Sequence, residues 1–99
     1  MRVDRVTPEA REAVLLRDGA CLLSKIEPDH ICRDRWGNPH PATDLYRLTL
    51  EHVKDAPRMG RRAPSDPEHM VALCWTANVG VPSKDQRAAF RAYLREVAA

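Results

Sequence analysis

A chain of 99 residues, 43% hydrophobic and 30% charged, is sized for one small globular domain and is too apolar for wholesale disorder. No apolar run approaches the roughly 18 residues of a membrane span, and Met1-Arg2-Val3-Asp4-Arg5 lacks the apolar core of a secretory signal, so the cytoplasm is the expected compartment. The net charge of +2 is too small to demand a polyanionic partner, and three cysteines cannot all pair, so a disulfide framework is not expected.

Thr7 followed by Pro8 and Glu9 predicts a helix start: a hydroxyl N-cap, proline at the first position and acid near the positive dipole end. Ala10, Ala13, Val14 and Leu16 continue it at helical spacing, and Gly19 ends it, giving a helix over about 8–18. Residues 20–47 carry Pro28, Gly37, Pro39 and Pro41 and read mainly as loop. Leu48-Thr-Leu-Glu-His-Val53 alternates like a half-buried strand, and Met70-Val-Ala-Leu-Cys74 is a short apolar run suited to a second, buried one. Pro57, Gly60, Pro64 and Pro67 make the stretch between them a loop. Ser83-Lys-Asp-Gln86 is a capping box, and the stripe Phe90, Tyr93, Leu94, Val97 predicts a helix over about 84–97. The fold class is α+β, a single domain over 1–99 with a hairpin over about 48–74. Trp36 and Trp75 are expected to pack its small core.

Two basic stretches stand out. Arg58, Arg61 and Arg62 follow the first strand, and Arg87, Arg91 and Arg95 line one face of the last helix at intervals of four. Both are candidate phosphate contacts, although a charge run on a terminal helix is as often a solvated face.

A strand carrying Glu51-His52, a second running His69-Met-Val-Ala-Leu-Cys74, and Trp75-Thr-Ala-Asn78 before a helix together resemble the HNH endonuclease family, the ββα-metal nucleases. The likeness is to small phage-type members, and it covers residues 48–94 at its core. It implies a ββα-metal core that hydrolyses DNA phosphodiesters, with the 3′ oxygen as leaving group. It makes His52 the general base and Glu51 and Asn78 the holders of a divalent ion, Mg2+ or Mn2+. His69 stands where the family has its loop-bracing Asn, and Asn78 where the family most often has His. Those departures support an alternative, a catalytically weak HNH-like module for DNA binding or assembly. DNA is the implied partner; a phage-packaging or other protein partner is left open. The chemistry suits the residues, since a neutral imidazole takes a proton from water near neutral pH and a carboxylate suits a hard cation. Neighbours on a regular strand point to opposite faces, so Glu51 and His52 share a site only if the strand ends there. Asp29-His30, with Asn38 and His40 behind it, is a competing acid–histidine pair, disfavoured by Pro28.

Many HNH domains bracket the hairpin with two Cys-x-x-Cys pairs around a structural zinc. Here Ser24 and Ala77 stand where Cys21 and Cys74 would have partners. Cys21, His30, Cys32 and Cys74 would restore a Cys3His set. Because their spacing matches no common finger, the favoured expectation is three buried thiols and no zinc.

Overall fold

The computed structural model describes residues 6–53 and 67–98. The first helix, α1 (Pro8–Asp18), begins where Thr7 Oγ1 accepts the Ala10 amide at 3.1 Å, and ends at Gly19, left-handed at φ 68°. A short α2 (Leu22–Ile26) follows at once, inside the stretch expected to be loop; five residues are too few for an apolar period to declare a helix. Strands β1 (Leu48–His52) and β2 (Met70–Cys74) pair antiparallel, with Leu48 opposite Cys74 and His52 opposite Met70.

All five residues of β2 are buried, although a two-stranded hairpin leaves its outer edge unpaired. Side chains complete that edge. Arg17 Nη2 donates to the Met70 carbonyl at 2.6 Å, the Asp18 carboxylate accepts the Ala72 amide at 2.8 Å, and Cys21 Sγ accepts the Cys74 amide at 3.3 Å. Alternate residues of an antiparallel strand turn their backbone groups outward, and positions 70, 72 and 74 are each served by α1 or by the turn after it. A buried backbone group left unpaired would cost about 1–3 kcal/mol, so these contacts let an edge strand lie inside the core.

Asp18, fully buried, also accepts Arg17 Nε at 2.7 Å and the Tyr93 hydroxyl at 2.6 Å, tying α1 and β2 to the last helix. Burial, then the Asp18 carboxylate, pushes the Tyr93 hydroxyl up to about 12. That last helix, α4 (Lys84–Ala98), opens on the expected capping box: Gln86 N–H donates to Ser83 Oγ at 3.1 Å, and Ser83 N–H to Gln86 Oε1 at 2.9 Å. Phe90 and Leu94 carry its apolar face into the core, while Val97 of the same stripe stays 41% exposed.

Between β2 and α4 the chain forms α3 (Trp75–Val79), so Asn78 stands on a short helix of its own. Gly80 closes α3 against the Thr76 carbonyl, which a Cβ would meet at 2.9 Å. Leu16 departs from its helical stripe and is 66% exposed, and Trp36 is 77% exposed, outside the core altogether. Among the described residues, no helix is long and apolar enough to cross a membrane.

Candidate metal centre and acid–histidine cavity

Four side chains converge below the hairpin. Cys21 lies between α1 and α2, His30 and Cys32 in the loop after α2, and Cys74 at the end of β2. Their donor atoms all lie within 4.8 Å of one another. In a tetrahedral zinc site with Zn–S bonds of about 2.3 Å, donors stand about 3.8 Å apart. The cluster therefore needs only a small contraction to fit a Zn2+ ion. All three cysteines are buried and unpaired by disulfides, and His30 Nε2 is 3.2 Å from Cys74 Sγ. Three sulfurs and one imidazole form a soft N/S donor set, the kind that holds zinc in closed structural sites. The spacing favours three free thiols over this set, whereas α2 and the turn after it bring His30 onto Cys74.

The electrostatics of the cluster already prepare a thiolate. Hydrogen bonds from the Cys21 thiol, Thr76 and His30 hold Cys74 well below the usual thiol range. The same Cys21–Cys74 bond, then burial, pushes Cys21 up, and burial pushes Cys32 up to about 11. His30 is thereby occupied, so Asp29-His30 does not form a second acid–histidine site; Asp29 is exposed.

The hairpin's other end carries the second site. β1 stops at His52, and Glu51, His52 and Val53 line one cavity of about 320 Å3 together with Arg87, Phe90 and Arg91 of α4. Both residues belong to the ladder, Glu51 opposite Val71 and His52 opposite Met70, so they reach the cavity rim from opposite faces of β1. Burial raises the Glu51 carboxyl above its ordinary range, partly offset by the neighbouring Arg87 guanidinium and the His52 side chain. A half-buried carboxylate beside an exposed imidazole and two guanidinium-bearing side chains suits a bound phosphate and a hard cation. His69 sits next to the hairpin mouth, where its carbonyl accepts the Val53 amide at 2.8 Å.

Asn78 does not line this cavity. Its Nδ2 donates to Thr49 Oγ1 at 2.9 Å and to the Leu50 carbonyl at 3.2 Å, pinning α3 to β1. Glu51 is the carboxylate at the cavity, while Asn78 ties α3 to β1 through its Nδ2. Arg95 stands on α4 away from the cavity lining, whereas Arg87 and Arg91 belong to it. Arg58, Arg61 and Arg62 fall outside the described residues. Sequence reasoning missed Asp18 as an organising residue, because a carboxylate in a helix's last turn is ordinarily solvent-facing and opposes the dipole. Its one signal was the adjacent Arg17.

Searches among known protein families, curated proteins and solved structures find no match to this chain.

Proposed function

We propose that this chain is a zinc-stapled, metal-dependent HNH-type DNA endonuclease with a ββα-metal core formed by β1, β2 and α3. The observation that carries this reading is the gathering of Glu51, His52, Arg87 and Arg91 around one cavity. His52 takes a proton from the attacking water, a role suited to an exposed imidazole near neutral pH. Glu51 supplies a carboxylate oxygen for Mg2+ or Mn2+, and burial that raises its pKa makes a cation partner favourable. A divalent ion, when bound, neutralises charge on the leaving 3′ oxygen. Arg87 and Arg91 draw the scissile phosphate in and orient it. Cys21, His30, Cys32 and Cys74 hold zinc away from the chemistry and fix the hairpin to the loop after α2.

One observation favours the alternative of a catalytically weak DNA-binding or assembly module: among the described residues Glu51 is the one carboxylate lining the cavity, and Asn78 is not part of that lining. Nicking of supercoiled plasmid by the zinc-replete protein separates the two. The nuclease reading expects nicked product with Mg2+ or Mn2+ and none without; plasmid that is shifted on a gel but stays supercoiled with either ion supports the module.

A further inference from the structure

Both tryptophans of the chain and one of its two tyrosines line a single open groove of about 650 Å3 at the start of β1. Trp36 and Tyr46 are 77% and 96% exposed, so neither contributes to the core. Large aromatic rings grouped on a small domain's surface, with so little burial in return, mark an interaction site. The platform is preformed. Asp34 Oδ1 accepts the amides of Trp36 at 2.9 Å and Asn38 at 3.0 Å, and Gly37 turns the chain at φ 84°, holding Trp36 at the loop tip. The Arg35 guanidinium lies over both indoles, 5.3 Å from the Trp36 ring and 5.4 Å from the Trp75 ring. Asp34 is neutralised locally by those amides and by Arg47 at 3.1 Å, so Arg35 sets the sign of the groove.

We propose that this groove binds unpaired bases of a single-stranded nucleic-acid segment, with bases stacked on Trp36 and Tyr46 and phosphates drawn to Arg35. Flat π-faces beside a guanidinium are the recognition chemistry of unpaired bases, tolerant of sequence because every base has a π-face. The location agrees. Four strand steps separate Leu48, which lines the groove, from His52 in the cavity, about 13 Å at about 3.3 Å per residue. One strand can therefore span both. This deepens the nuclease reading by naming a substrate form, DNA with unpaired bases beside the cleaved phosphate, and it rests on that reading for the choice of nucleic acid over peptide.

The two tryptophans make the groove its own reporter. Zinc-replete full-length protein, without added Mg2+, is titrated with oligo-dT of about eight nucleotides, within the site sizes of small single-strand binders, and intrinsic tryptophan emission is followed. The proposal expects saturable quenching, with weaker quenching by a blunt duplex of equal length. Trp36→Ala and Tyr46→Ala should each weaken binding about 5- to 150-fold, the measured range for losing one base–aromatic stack, with unchanged melting curves because both side chains are exposed. Absence of quenching, equal response to duplex, unchanged affinity in Trp36→Ala, or quenching by a proline-rich peptide but not by oligo-dT each overturns it. The two readings fail separately: quenching without plasmid nicking counts against the nuclease, and nicking without quenching counts against the groove.

Discussion

Replacing Cys32 by Ala tests the metal centre from its least supported member. Cys32 stands in the loop between α2 and β1, where its carbonyl accepts the His40 amide at 3.0 Å and its thiol joins the cluster. If the three thiols are only small apolar side chains, Cys32→Ala removes one sulfur from a buried site, a loss of about 1 kcal/mol. That lowers Tm by about 4–8 °C in a domain of this size. If the cluster holds zinc, a ligand is lost and the linkage changes scale. Free zinc at about a thousand times its Kd stabilises the folded state by about 4 kcal/mol, so its removal lowers Tm by about 16–32 °C. The cluster spans Cys21 to Cys74, so a metal held there would fasten the turn after α1, the loop after α2 and the end of β2 to one point. The assay is calorimetry with and without a strong chelator, paired with elemental analysis. Wild type should carry about one zinc and melt far lower with chelator, whereas Cys32→Ala should start low and respond little. Metal-free wild-type protein whose melting ignores the chelator would refute the reasoning and restore the three-thiol reading.

Asp18→Ala should cost about 2–5 kcal/mol, because it leaves the Ala72 amide and the Tyr93 hydroxyl without their acceptor and removes the Arg17 ion pair; a loss below about 1 kcal/mol by urea unfolding would contradict that role. Burial raises the Glu51 pKa in the folded state, so its charged form opposes folding at neutral pH and that cost disappears as pH falls through the folded pKa. Glu51→Gln should therefore raise the Tm of protein without added Mg2+ at pH 7 and lose the gain in acid, while abolishing Mg2+-dependent nicking; a lowered Tm at pH 7 would contradict the argument. Arg87→Ala and Arg91→Ala should each make the salt dependence of duplex binding shallower by about one unit. The same titration on Arg58, Arg61 and Arg62 shows whether they contact phosphates, and an unchanged slope for any of these arginines returns it to the solvated surface.

The long elements were legible because their signals are local. Thr7-Pro8 and Ser83…Gln86 are caps that announce α1 and α4, and Leu48–Val53 and Met70–Cys74 carry strand-like apolar patterns within single segments. Glu51 and His52 were legible as a pair for the same reason. The tetrad was not, because its donors come from three separated segments and no Cys-x-x-Cys spacing joins them. Its readable trace was His30-x-Cys32 between Cys21 and Cys74. The surroundings of Asn78 were not legible, because a five-residue helix shows no period and its amide meets the Leu50 carbonyl and Thr49 only once the hairpin has formed. Trp36 was assigned to the core on hydrophobicity alone, whereas Asp34 and Gly37 build a turn that holds it out.

The cleavage rate of His52→Ala tests the central claim most directly. Zinc-replete wild type and variant are compared under single-turnover conditions with saturating Mg2+ on the same DNA, after matched melting curves and matched DNA affinity confirm an intact fold. Loss of the general base predicts a fall of about 100-fold or more in rate. Cleavage by His52→Ala at the wild-type rate would contradict the account and remove the Glu51–His52 cavity from the chemistry.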